Sequence, residues 1–233
     1  FHLKLIFLNP SKARPSALEH STNSSPLEQT YTLLLVKTPS KSKKTNFSVN
    51  KNTNNIIPKN KVNSGGNKIR GNTFLRTTEE YGDFIFTFQF KFIDKSGNSG
   101  CMFRAFQKGG NPDGRVTGYQ CEHDNFKNGT RAWTAGIYDE ARRGWLDPNK
   151  KASAEVKDAF TQQGNRLFKW ETWNTIVIKC KGNHIETYLN GEKRADFTDT
   201  DKKNADLKGF FALQVHGGPS GDLLWKNLYL KEL

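Results

Sequence analysis

Residues 83–92 read DFIFTFQFKF. Phe84, Phe86, Phe88, Phe90 and Phe92 occupy every second position, with Ile85, Thr87, Gln89 and Lys91 between them. Side chains of a β-strand alternate between its two faces, so the run predicts a half-buried strand whose phenylalanine face must meet another layer. SGCMFRAF (99–106) follows a KSGN turn, and the same alternation puts Cys101, Phe103 and Ala105 inward and Met102, Arg104 and Phe106 on the opposite face. WNTIVIKCKGNHIETYLNGEKRADF (173–197) carries two hairpin turns, Gly182-Asn183 and Asn190-Gly191, and reads as a meander of three strands. GFFALQVH (209–216) and LLWKNLYLKEL (223–233) supply two more, and only KASAEVKDAF (151–160) has a helical pattern. Short strands, tight turns and one short helix predict an all-β fold, an antiparallel two-sheet β-sandwich or jelly roll.

The chain has 233 residues, enough to bury one substantial core, and a formal net charge of +13. That charge is unevenly placed: residues 1–72 hold 12 Lys/Arg and 2 Asp/Glu, whereas residues 73–233 are near balance. Thr38–Asn72 is rich in Lys, Asn, Ser and Thr, a composition that buries little apolar surface and predicts a largely disordered or divergent leader (1–72) ahead of a folded domain (73–233). Phe47 alone interleaves its lysines, too little for a series of stacking platforms, so a nucleic-acid partner is not expected. FHLKLIFL at the start leaves a signal-peptide remnant undecided. No stretch reaches the ~20 apolar residues of a membrane span. Cys101, Cys121 and Cys180 each sit in an apolar strand slot without CxxC spacing, which predicts buried free thiols.

The polar residues that break this pattern are the candidate site. In GYQCEHDNF (118–126), Gln120, Glu122 and Asp124 share one strand face, and Gln214 with His216 takes the same role in GFFALQVH. Arg104 is expected to join them. Each alone has a bland account as a solvated strand residue; their joint occurrence on neighbouring strands favours a site. RAWTAGIYDEARRGWLDP (131–148) adds Arg131, Trp133, Tyr138, Asp139, Glu140, Arg142, Arg143 and Trp145. Aromatic faces stack on the C–H surface of a sugar while planar charged groups hydrogen-bond its hydroxyls, so the mixture suits carbohydrate recognition; the alternative is a surface loop tied by ion pairs. The Glu-x-Asp pair invites comparison with retaining glycosidases, but a further acid two or three residues on is replaced by Phe126 and Lys127. Direct double displacement, which needs two carboxyls flanking the bond, is therefore disfavoured.

TFLRTTEEYGDFIFTFQFKF, NSGCMFRA, GYQCEHDN, RAWTAGIYDEARRGWL, WNTIVIKCKGNHIETYLNG, GFFALQVHGG and LLWKNLYLKEL occur in this order over residues 73–233. Together they resemble the 3-keto-disaccharide hydrolase domain. The resemblance implies a concanavalin/laminin-G-like jelly roll, a sugar substrate oxidised at C3, and a secreted or periplasmic bacterial setting. It further implies removal of the C2 proton, expulsion of the C1 aglycone and hydration of the unsaturated sugar. In that chemistry His216 or Glu122 would be the base and Arg104 the partner of the ketone or enolate oxygen. A divalent cation held by some of Glu122, Asp124 and His216 would serve the same purpose. Asp139, Glu140, Arg142 and Arg143 would orient hydroxyls, with Trp133, Tyr138 or Trp145 stacking. The alternative is a non-catalytic carbohydrate-binding module on the same fold.

Overall fold

The computed structural model describes residues 72–92, 96–110, 115–126, 130–216 and 223–233, together with the backbones of three short upstream strands. These residues form two antiparallel sheets of seven strands each. The first runs, in spatial order, β1 (Leu33–Val36), β4 (Thr73–Thr77), β13 (Phe210–Val215), β6 (Ser96–Gln107), β7 (Val116–Phe126), β8 (Ile137–Glu140) and β9 (Gly144–Asp147). The second runs β12 (Glu192–Thr198), β11 (His184–Leu189), β10 (Asn174–Lys181), β5 (Phe84–Phe92), β14 (Leu223–Glu232), β3 (Asn55–Lys59) and β2 (Asn46–Asn50). The β10–β11–β12 meander turns at the two expected hairpins. Strands β1, β2 and β3 lie upstream of the expected domain start at residue 73, and they join both sheets.

The phenylalanines of β5 build the core between the sheets. Phe84, Phe86, Phe88, Phe90 and Phe92 are buried and the residues between them only partly so. They meet Cys101, Phe103, Tyr119, Cys121, Phe211 and Leu213 from the first sheet. Burial of this apolar surface, worth roughly 25 cal/mol per Å², is the main term that holds the sheets face to face. The three cysteines are buried and free, and burial pushes their thiols upward, away from reactivity. A second apolar cluster, including Phe74, Met102, Phe210 and Ala212, lies on the other face of the first sheet.

Two expectations need correction. The helix α1 (Ala154–Leu167) is longer than the pattern indicated. Ser153 caps its start, and Phe160, Gly164 and Leu167 continue a buried stripe at spacings of four and three residues beyond the polar TQQ. Arg104, expected beside Glu122, is carried to a different place by a register shift in β6 between Phe103 and Phe106. The extra residue puts Arg104 in the left-handed region, with φ of 44°, and breaks the alternation there. Its side chain is fully buried and donates to the carbonyls of Gly82 (2.9 Å) and Gly182 (2.6 Å) and to Asp83 Oδ1 (3.0 Å). Arg104 thus ties the bulge to the start of β5 and the β10–β11 turn; its place is structural.

Candidate functional site

The site lies on the face of the first sheet turned away from the main core. On β7, Tyr119 and Cys121 point into the core, so Gln120 and Glu122 point outward by alternation. Gln120 pairs in register with Met102 on β6, and Glu122 pairs with Gly100. The missing side chain at Gly100 matters: a Cβ there would lie 2.5 Å from the Gln120 side chain. That gap lets the Gln120 amide lie across β6. Its Nε2 donates to Glu122 Oε2 (2.7 Å), and its Oε1 accepts from Gln214 Nε2 (3.1 Å) on β13. Asn98 Nδ2 donates to Glu122 Oε1 (2.7 Å) from the other side. Three strands therefore hold one carboxyl between two amide donors.

A cleft of about 200 Å³ opens over this group, lined by Asn72, Asn98, Gln120, Glu122, Arg131, Tyr138, Glu140, Trp145, Gln214 and His216. Burial pushes the Glu122 carboxyl up to about 8; the Asp124 charge adds to this, while Gln120, Asn98 and Arg131 oppose it. At neutral pH most of it is protonated. Burial also raises the Tyr138 hydroxyl, helped by the neighbouring charges of Glu140 and Glu122. Trp145 meets Trp133 edge to face at 4.6 Å between ring centroids and Tyr138 at 5.2 Å. Trp133 supports this wall from behind, its Nε1 donating to Thr161 Oγ1 of α1 (2.9 Å).

Asp124 lies beside the cleft, fully buried, with its Oδ2 2.5 Å from Arg131 Nη2. Burial raises its carboxyl to about 6 against the pull of Arg131. The contact is a close approach of charges on a buried acid, and it directs Asp124 at Arg131. The next residue inward, His123, faces the core, its ring stacked on Phe90 at 4.2 Å.

The cleft gathers Gln120, Glu122, Arg131, Tyr138, Glu140, Trp145, Gln214 and His216, and Glu140 also accepts from Arg115 (2.9 Å). It does not gather Asp139, Arg142 or Arg143, which the sequence placed on the sugar. On β8, Tyr138 and Glu140 take the cleft face, so Asp139 takes the other. There it is fully buried and accepts from Arg142 Nε (2.7 Å) and from Arg143 Nε. Arg142 reaches Asp206 (2.5 Å), and Arg143 holds Asp199 through both terminal nitrogens (3.0 and 2.7 Å). These residues lock the β8–β9 turn to the segment after β12. Asn72 and Asn98 were not anticipated. The alternation of β6 runs from Met102 back through Gly100 to Asn98, a signal hidden because the glycine-rich stretch reads as a turn.

A shared cation needs several ligand atoms converging on one point. Among the described residues, the acidic and histidine side chains that converge closely enough to share one are His184, Glu186 and Asp196, on the second sheet. Lys179 and Lys193 already bind Glu186, and Lys193 binds Asp196. No helix among the described residues is long and apolar enough to cross a membrane.

The sequence matches the family described as 3-keto-alpha-glucoside-1,2-lyase-like domain over residues 37–231. No curated protein sequence matches the chain. Among solved structures, a protein of unknown function with a galectin-like fold from Bacillus subtilis aligns with a TM-score of 0.56 at 10% identity, covering 87% of this chain and 89% of its own. A structure described with the endo-acting O-glycanases that human gut microbiota express to initiate mucin breakdown aligns with a TM-score of 0.52 at 9% identity, covering 91% and 96%. At such identities the likeness is one of fold: a two-sheet jelly roll.

Proposed function

Since the chain belongs to the family of 3-keto-alpha-glucoside-1,2-lyase-like domains and is thereby carbohydrate-related, we propose that its cleft takes a glycoside oxidised at C3 and cleaves it by elimination across C1 and C2. The observation that carries this reading is Glu122, a buried carboxyl pushed up to about 8 on the floor of an open cleft. A carboxylate of that basicity is a stronger base than an exposed one, and a ketone at C3 acidifies the C2 proton it would take. The C2–H bond breaks toward Glu122, the C1=C2 double bond forms, and the C1–O bond breaks with its electron pair leaving on the aglycone oxygen. Tyr138 and His216 line the same cleft and are the groups that can return a proton to that oxygen. Water then adds across C1 and C2 of the hydroxy-enone, and the net change is hydrolysis. Trp145 offers an aromatic edge to the ring, and Gln214 and Glu140 offer hydroxyl partners.

A non-catalytic sugar-binding module needs aromatic rings and hydroxyl partners, and has no use for a buried acid with raised basicity. The two readings separate in one assay. An aryl 3-keto-glucoside is incubated with the protein while enone absorbance and phenol release are followed. Turnover should climb with pH and level off above the Glu122 value of about 8. Glu122→Gln should lose about 10²–10⁴-fold, the usual contribution of a general base. Binding of the keto-sugar with no turnover at any pH would leave the module reading in place and remove the lyase.

A further inference from the structure

From the geometry of the loop beside Glu122, we infer that Arg131 is the cation that receives the negative charge developing on the C3 oxygen, with Asp124 as its positioning residue. The inference rests on the elimination reading above and supplies the group that Arg104, locked in the bulge, cannot be. Removing the C2 proton of a 3-ketone moves the electron pair of the C2–H bond into an enolate, so charge gathers on the ketone oxygen before the C1–O bond breaks. A donor fixed in advance at that oxygen acts on the transition state more than on the substrate.

Three observations point to Arg131. It lines the cleft together with Glu122, and its side chain is 38% exposed while its partner Asp124 is fully buried. A buried carboxylate facing a cleft arginine is an expensive arrangement for stability alone, because desolvation consumes most of the attraction. It does, however, fix the direction of the guanidinium, whose planar fork carries five N–H donors. The loop itself is stitched to the strand that carries the base. Thr134 N donates to Asp124 O (3.1 Å), Ala135 N to Glu122 O (2.8 Å), and Glu122 N to Gly136 O (3.0 Å). The loop's other side is clamped. Arg194 donates to the carbonyls of Ala132 (3.0 Å) and Thr134 (3.2 Å), and Gly164 of α1 lies so close that a Cβ there would be 1.9 Å from Ala132 O. Arg131 also sits over Trp145, 5.7 Å from its ring centroid, and 6.0 Å from that of Trp133. The cation is therefore held on a rigid segment in fixed register with Glu122, as preorganised stabilisation of charge requires.

The test uses the full chain and an aryl 3-keto-glucoside. It reads kcat and KM for phenol release, and separately the exchange of the C2 hydrogen for deuterium by NMR. Arg131→Ala should lower kcat by about 10²–10³-fold, the usual loss for one oxyanion donor, with KM changed only a few-fold. C2 exchange should fall in parallel, and guanidinium added to the assay should restore part of it. Arg131→Lys keeps the charge without the fork and should fall between the two. Asp124→Asn should lower kcat with KM held and unfolding temperature near wild type. An Arg131→Ala protein that turns over like wild type, or that loses only KM, overturns the assignment while leaving Glu122 as base intact. A wild-type protein that neither releases phenol nor exchanges C2 hydrogen overturns the elimination reading and this assignment together.

Discussion

Glu122 and His123 are consecutive residues on opposite faces of β7, and burial pushes them in opposite directions. Glu122 rises to about 8 and His123 falls to about 4, because burial penalises the charged form of each. For Glu122 the folded value lies above the unfolded one, so its favourable term is whole below the unfolded value of 4.5 and is lost as pH rises through 8. Asp124, raised to about 6, acts in the same direction. For His123 the folded value lies below the unfolded 6.5, so its term is present above that and is lost as pH falls through 4. A tenfold difference in proton affinity between the folded and unfolded chain is worth about 1.4 kcal/mol, which is measurable against a total stability of about 5–15 kcal/mol. Glu122→Gln should therefore flatten the decline of unfolding free energy between pH 4.5 and 8, measured by urea titration across that range. His123→Leu keeps the apolar contact with Phe88 and Phe90 while removing a fully buried base. It should flatten the acid limb, between pH 6.5 and 4. Curves parallel to wild type in either variant would contradict the burial account of that residue.

At the scale of the element, the bulge in β6 decides where side chains go. The neighbouring backbones come unusually close to it: a Cβ on Gly209 would lie 2.4 Å from the carbonyl carbon of Arg104, and one on Gly118 would lie 2.9 Å from Ala105 Cα. Gly118 also holds a φ of 125°, which side chains rarely adopt. Gly209→Ala should cost about 1–3 kcal/mol through overpacking, seen as a lower unfolding temperature, while Gly82→Ala, whose Cβ would make ordinary contact at 3.4 Å, should be far milder. Equal melting of the two variants would show that β13 can move away from the bulge at little cost. The same element explains what the sequence could and could not tell. Strict alternation correctly divided the faces of β5, β7 and β13, and so placed Gln120, Glu122 and Gln214 together. It failed for Arg104 because one inserted residue reverses the count, and nothing in SGCMFRAF marks the insertion. It failed for Asp139, Arg142 and Arg143 because a dense mixture of charges and aromatics states the chemistry of a segment without stating which way each residue faces. The partners that capture these arginines, Asp199 and Asp206, lie more than 50 residues away in the chain.

For the molecule as a whole, the informative difference is upstream of residue 73. Residues 1–72 hold ten of the thirteen net positive charges, and their Lys/Asn-rich composition carries no alternation to mark a strand. The family match nonetheless begins at residue 37, and three upstream strands pair into the sandwich. β1 lies along β4 from Leu33↔Thr77 to Val36↔Phe74, and β3 meets β14 at Trp225↔Ile56, with β2 outside it. Without them, β4 and β14 become open edges of the two sheets, each presenting a row of backbone groups that pair readily with another chain. β14 is a costly edge to expose, since Leu223, Trp225, Leu228 and Leu230 are buried along it. A chain starting at residue 73 should therefore melt at a lower temperature than the full chain and elute partly as aggregate on size exclusion. Trp225 fluorescence should shift to the red as its strand loosens. The same pair of proteins separates the structural contribution of the segment from its charge. If the segment acts mainly as a basic arm, the shortened chain keeps its melting temperature and loses only salt-sensitive binding to a polyanion, which weakens steeply with ionic strength. A drop in melting temperature that persists at high salt assigns the segment to the sandwich, because the stability then lost comes from strand pairing, which salt does not screen.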